Sequence, residues 1–402
     1  MPSISRPLRS GLIIALFLTT AISSLRIPLL PEIGAQLDVG SGEIGVITAV
    51  FGFGRIITNI PAGRIADRLS PALSSLFAAL FMTAGTTVIA LAPGFAQLLV
   101  GIAITGSASA MMNTTAMTTL TRSAAPGKRG AAMATYSTSL MTGQIVGPAL
   151  AGVSAAVLSW RITHGIGAGI ALAIALTMLV LWLNDGRSRR AAASRSGSDL
   201  VAAGTPVDDS VPDMRRIHLV AVSSVSFAVF FSLSALPQTV LPLIAANELR
   251  LPVEQIGFAI GASAIARIIG ARIAGRIADV YSRRAALIPS LILLAASPLL
   301  IALPLGWGGW LAALMLISLA SSGAAIAGTV IGDLSRPARL GARMGIYRTL
   351  GDVGLLVGGL VCGLSYELGG RLPTALLAAG ICAAATVLAC IILPREGSGH
   401  KR

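Results

Sequence analysis

Five ionisable residues interrupt long apolar runs in this sequence: Arg26, Arg55, Arg267, Arg348 and Asp352. In apolar surroundings each costs several kcal/mol unless it is paired or hydrated, so such residues are candidates for handling protons, ions or charged ligands. Asp352 is the one acid well inside a run, which makes it the candidate proton carrier. Two partners are open to it. Arg348 precedes it by four residues, the spacing that places both on one helix face within pairing reach. Arg55 is the other. It lies eight residues before Gly63 and Asp352 lies nine after Arg343, depths of about 12 and 14 Å at a helical rise, so the two are level.

A second constellation is polar rather than charged. Thr105, Ser109 and Asn113 recur at four-residue spacing in an apolar run, a stripe on one helix face. Gln238, Ser321 and Ser322 stand in two later runs, and Met111, Met112 and Met117 could add a soft, adaptable wall or plain packing. Arg26 has two readings: it snorkels or pairs with Glu32 at the end of its run, or it meets an anion. The runs holding Arg26 and Thr105 contain no acid in their interiors, which favours neutral or anionic compounds over strongly cationic ones.

These groups need elements to position them, and composition says which. Of the residues 54% are hydrophobic and 11% charged, with mean hydropathy +0.83, a balance no water-soluble core absorbs. Apolar runs of about 20 residues recur, the length that crosses the hydrocarbon layer as a helix. They are continuous rather than alternating, and backbone satisfaction in lipid demands helices or closed barrels, so helices are expected. The 45 glycines suit closely approaching helices. The formal charge of +14 is scattered over short connectors and forms no basic domain, which argues against nucleic-acid binding. Cys362, Cys382 and Cys390 fall in the last two runs and read as buried apolar residues, with no disulfide or metal framework.

The predicted helices are 11 to 30, 43 to 62, 71 to 92, 95 to 118, 131 to 157 and 162 to 183, then 217 to 243, 254 to 274, 285 to 304, 307 to 330, 343 to 366 and 372 to 393. The first could be a signal peptide, but its apolar stretch runs on to Leu30 and it heads an even set, so a membrane anchor fits better. Residues 1–183 and 217–402 then form two six-helix bundles, and 184–216, rich in Arg, acids, Gly, Ser and Pro, forms a flexible linker. Arg and Lys crowd the linker, both termini and alternate connectors. The positive-inside rule puts these, and so both termini, in the cytoplasm.

A repeat ties the halves together. RIITNIPAGRIADRLS from Arg55 matches RIIGARIAGRIADVYS from Arg267 at an offset of 212, and GAAMATY from Gly130 matches GARMGIY from Gly341 at 211. Here the sequence resembles the major facilitator superfamily, whose signature after the second helix is G-x-x-x-D-R-x-G-R-[RK]. Gly63, Asp67 and Arg68 fit it, with Ser70 where the second glycine is usual. Gly275, Asp279, Arg283 and Arg284 fit it in the second half, with Val280 where the first arginine is usual. The run GQIVGPALAG, with Gly143, Gly147, Pro148 and Gly152, resembles the helix-5 motif of drug and proton antiporters, which implies tight packing against helix 8. The arginine such antiporters carry on helix 4 is absent: Ile102 stands four residues before Gly106.

The resemblance implies an all-α membrane protein of twelve transmembrane helices in two pseudo-symmetric six-helix bundles. Asp67 would latch on the start of helix 11 and Asp279 on the start of helix 5, closing the cytoplasmic side in one state, each contact stabilised by the positive helix N-terminus. Helices 1, 4, 7 and 10 would line a central cavity holding Arg26, Thr105, Ser109, Asn113, Gln238, Ser321 and Ser322. Helices 2 and 11 would face each other, letting Asp352 pair with Arg55 in one state and Arg348 in another. The function expected is secondary transport by alternating access, foremost proton-coupled export of a small amphiphilic drug or metabolite. Proton-coupled uptake of an organic anion or nutrient, and a non-transporting sensor or scaffold, are the alternatives. No nucleophile and base pair, metal-ligand cluster or phosphate loop points to an enzyme, and no cofactor or metal is expected. The expected partners are a small-molecule substrate, protons and the lipid bilayer. A monomer in a bacterial inner membrane is expected, the origin read from 28 Arg against 2 Lys.

Overall fold

The structure, a computed structural model, describes residues 5–124, 129–193, 216–304, 306–334 and 337–392. Among these residues all regular structure is helical, in twelve spans. Spans 1 to 6 are Arg6–Leu37, Ser41–Arg68, Pro71–Ala90, Phe95–Arg122, Arg129–Val157 and Trp160–Ala193. Spans 7 to 12 are Arg216–Glu248, Val253–Val280, Arg283–Ala302, the pair Gly306–Ala320 and Gly323–Leu334, then Pro337–Gly369 and Arg371–Ile392. Eleven of the twelve contain a helix long and apolar enough to cross a membrane; span 10 is divided at Ser321 and Ser322.

Most ends fall within two residues of expectation, spans 3, 9 and 12 stopping one or two residues early, and the larger differences at the polar ends are extensions. Span 2 runs on to Arg68 rather than 62, span 8 to Val280 rather than 274, and span 11 starts at Pro337 rather than 343. Hydropathy registers only the part of a helix that needs lipid, whereas hydrogen bonding carries the helix on through its polar end. For the same reason the first ten residues assigned to the linker are helical, since span 6 continues to Ala193. The rest of the linker, 194–215, lies outside the described residues.

Four spans, 1, 7, 9 and 10, depart from a continuous α-helix, span 9 tightening into a 3-10 turn over Ser297–Ala302, and proline accounts for the departures in spans 1 and 7. Pro28 cannot donate to the carbonyl of Ser24, and span 1 interrupts at Leu25, just before Arg26. Pro237 and Pro242 withhold two N–H groups from span 7, which widens into π-turns over Leu236–Val240 and Ile244–Glu248.

Spans 1 to 6 and 7 to 12 each bury a core of their own, around Trp160 and Met82 in the first and Phe231 and Trp310 in the second. Two seams join them. In the first, span 2 crosses span 11: a Cβ on Gly45 would lie 2.4 Å from the carbonyl oxygen of Gly359. In the second, span 5 crosses span 8: a Cβ on Gly257 would lie 2.4 Å from the carbonyl oxygen of Pro148. Both close crossings lie at the end of the bundle away from the start of span 1, here the distal end. At the opposite, basal end, Cβ atoms on Gly63, Gly275 and Gly345 would meet nothing within 4 Å. The close crossings of the seams are therefore distal, and these three basal glycines stand open.

Candidate functional site

Between the two sets of six spans lies a cavity of about 440 Å³, within the size range of small-molecule sites. Its wall carries Arg55 and Asp352, one on each side of the span 2 to span 11 seam. Arg55 Nε donates to Asp352 Oδ1 at 2.7 Å, and Arg55 Nη1 reaches Ser109 Oγ at 3.3 Å. The other carboxylate oxygen, Oδ2, accepts from Asn59 Nδ2 at 2.5 Å. Arg55 and Asn59 stand one helical turn apart on span 2, so one face of that helix clamps the acid from across the seam. The carboxylate is 4% exposed and Arg55 15%. Of the two partners open to Asp352, the structure joins it to Arg55. Arg348 turns the other way, donating to Tyr136 Oη and Met117 Sδ at 3.4 Å each.

Of the two readings open to Arg26, the structure places it in the cavity wall. It neither snorkels nor pairs with Glu32, whose carboxylate accepts from Gln36. Arg26 is 4% exposed and stacks over the Phe51 ring at 3.8 Å. It donates to the Ser23 carbonyl and, at 3.0 Å, to Gln238 Oε1. Gln238 lies within the first π-turn of span 7, whose extra residue aims its side chain across to span 1. On the other side Arg267 donates to Gln144 Oε1 of span 5.

Ser109, Asn113, Gln238, Ser321 and Ser322 line the cavity as expected, but Thr105 does not. Four residues turn a helix by about 400°, so a four-residue stripe rotates by roughly 40° at each step. Thr105 has rotated off the cavity face to pack on Gly85 of span 3, its hydroxyl donating to the Ile102 carbonyl. The same geometry divides the methionines. Met117 lines the cavity, while Met111 and Met112 are core.

The helix-5 motif divides too. Gly143 and Gly147 pack on Phe17 and Ala21 of span 1, not on span 8, while Gly152 and the carbonyl of Pro148 meet span 8. Of the two expected latches, the Asp67 and Arg68 side chains lie outside what is described. Asp279, near the end of span 8, is 75% exposed and pairs at 3.3 Å with Arg283 at the start of span 9, and Arg284 donates to the Cys390 carbonyl. At the distal end the Glu367 carboxylate of span 11 accepts from the Gly42 N–H at the start of span 2, and Glu248 holds Tyr366 and Arg371.

Sequence reasoning missed Asn59, Gln144, Tyr136 and Phe51. Asn59 carried a usable signal, four residues after Arg55 on the same face. Gln144 stood inside the helix-5 motif, whose glycines drew the reading to packing, and Tyr136 and Phe51 carried no signal, since an aromatic residue in an apolar span reads as packing.

Twelve helical spans around a central cavity, with buried charge paired across the seam between two sets of six, define a membrane transporter. The chain belongs to the Major Facilitator Superfamily, whose family model matches it twice, over residues 12–238 and 222–402. Its fold is shared with a bacterial homologue of the human lysosomal transporter Spinster. The inward-facing, occupied form of that protein aligns at TM-score 0.72 and 17% identity, covering 97% of this chain and 96% of the other. The unoccupied inward-facing form gives 0.66 and 16% over the same shares. The human organic anion transporter MFSD10 (TETRAN) gives 0.67 and 18%, covering 96% of this chain and 99% of the other. No curated protein matches the sequence.

Proposed function

We propose that this chain exports a small amphiphilic compound in exchange for protons, by alternating access between bundles 1–183 and 217–402 joined by the linker 184–216. The observation that carries the reading is the clamp on Asp352: a carboxylate in the cavity wall held from the opposite bundle by Arg55 at 2.7 Å and by Asn59. Protonation removes the charge that Arg55 holds, so a proton arriving at the cavity loosens the seam between bundles. Arg348, one turn from Asp352 on span 11, is the alternative partner once the seam parts. The basal end, by the positive-inside rule, faces the cytoplasm, and the close distal crossings favour the inward-facing stage of the cycle. In the outward-facing stage Asp67 and Asp279 take up their latch positions. The protein works as a monomer in a bacterial inner membrane.

Asp352→Asn, reconstituted in liposomes, is expected to abolish transport driven by an imposed pH gradient; full coupling in that variant refutes the proton role. Uptake of an organic anion is the second reading, favoured by the four arginines of the cavity wall. Collapsing the proton gradient in loaded cells separates the two, since exported compound then accumulates whereas imported compound falls. A sensor without transport would leave both unchanged.

A further inference from the structure

The cavity wall holds four arginines, Arg26, Arg55, Arg267 and Arg348, against one acid, Asp352. Asp352 serves Arg55. Arg26 and Arg267 are in a different position: among the described residues, the side chain that each one hydrogen-bonds is a glutamine. Arg26 of span 1 meets Gln238 of span 7, and Arg267 of span 8 meets Gln144 of span 5. Each glutamine thus comes from the opposite set of six spans. The Nε atoms of both arginines are buried and have no partner.

A guanidinium keeps its charge inside a protein and offers five N–H donors in a planar fork. An amide oxygen satisfies one or two donors but leaves the charge uncompensated, a costly arrangement in a membrane interior. A group that satisfies both fork and charge is an oxyanion, bound through paired N–H···O contacts. Two such forks open on one cavity, beside an apolar wall that includes Phe51, Phe230, Leu233 and Met133.

Building on the transport reading, we propose that the cavity accepts a dianionic amphiphile, one anionic group replacing the Gln238 amide on Arg26 and the other replacing the Gln144 amide on Arg267. The two glutamines are placeholders. They tie the bundles together across the cavity, and the ligand releases both ties as it binds.

The test is equilibrium binding to the detergent-purified full chain at fixed pH, with three probes sharing one ring: naphthalene disulfonate, naphthalene monosulfonate and neutral naphthalene sulfonamide. The disulfonate is expected to bind about tenfold or more tighter than the monosulfonate, from one additional set of charge-assisted hydrogen bonds. Arg26→Gln and Arg267→Gln should each reduce the disulfonate to the monosulfonate level. Gln144→Ala and Gln238→Ala, which keep both arginines and remove the competing oxygens, should hold or tighten disulfonate binding, and they decide the matter if an arginine variant fails to fold. Equal affinity for the two sulfonates overturns the proposal, as does an unchanged preference in folded Arg26→Gln and Arg267→Gln, or loss of the preference in the glutamine variants. No gradient enters the measurement, so its outcome is separate from that of the transport reading. Equal binding alongside intact pH-driven transport sinks only the ligand class, and disulfonate binding in a protein that transports nothing under a gradient sinks only the transport reading.

Discussion

Removing the charge at Asp352 or at Arg55 alone should cost far more than removing both. In Asp352→Asn the Arg55 guanidinium, 15% exposed, stays between spans 2 and 11 with the Ser109 hydroxyl and a neutral amide beside it. In Arg55→Gln the Asp352 carboxylate, 4% exposed, keeps Asn59 but loses its counter-charge. Breaking a buried pair from one side costs about 3–5 kcal/mol, because the desolvation of the remaining charge is no longer offset. The Asn substitution keeps one acceptor oxygen and belongs at the lower end of that range. The deeper carboxylate stranded by Arg55→Gln belongs at the upper end. The double variant strands no charge and should lie within about 1 kcal/mol of the parent, so the coupling energy is several kcal/mol, at or above the top of the usual range for residues in contact. Cys362 and Cys382 are buried, so a thiol-reactive dye that fluoresces on reaction reads unfolding of the purified protein directly. Each single variant should melt several degrees below the parent and the double variant near it. Additive losses in the double variant would refute the inference that these two groups compensate each other.

The glycine seams make a paired prediction. Gly45→Ala places a methyl 2.4 Å from the Gly359 carbonyl, which must retreat by about 0.8 Å, and overpacking of this kind costs about 1–3 kcal/mol. Gly63→Ala and Gly275→Ala meet nothing within 4 Å and should be neutral or gain up to about 1 kcal/mol in helix propensity; equal losses at all three positions in the same melting assay would contradict the close distal crossings and the open basal glycines. Glu367→Gln removes an exposed carboxylate from the start of span 2. It should cost about 0.3–1 kcal/mol at low ionic strength and nothing measurable near 1 M salt, and a loss that persists in salt would mean the contact acts by something other than charge at a helix terminus.

The helices, the duplication and the pairing of Asp352 with Arg55 were legible in the sequence because each rests on a signal that survives without coordinates. Apolar length marks the spans, an offset of 212 marks the repeat, and matched depth marks the pair. What stayed hidden depends on rotation about a helix axis or on a local break. Thr105 was misplaced because a four-residue stripe drifts, and the choice between the two readings of Arg26 stayed open because nothing in the sequence shows Gln238 and Phe51 beside it. Gln144 sits between Gly143 and Gly147, and only the packing of those glycines on span 1 shows that it faces the cavity.

The repeat also explains why the two seams are chemically unequal. Arg55, Asn59 and Asp352 at the first seam correspond, at offsets of 212 and 211, to Arg267, Ala271 and Met141 at the second, and all but Asn59 line the cavity. The two halves share the arginine but differ in the acid and the amide that fasten it, and Arg267 meets Gln144 from a different turn of span 5. A proton can discharge an ion pair but leaves an arginine and glutamine contact as it was, so protonation loosens only the span 2 to span 11 seam. An anion does the reverse, competing for Arg267 where no carboxylate holds it. In the proposed cycle the two seams therefore answer to different ligands, one to the proton and the other to the cargo. Full opening then requires both, a division of labour that two identical seams could not provide.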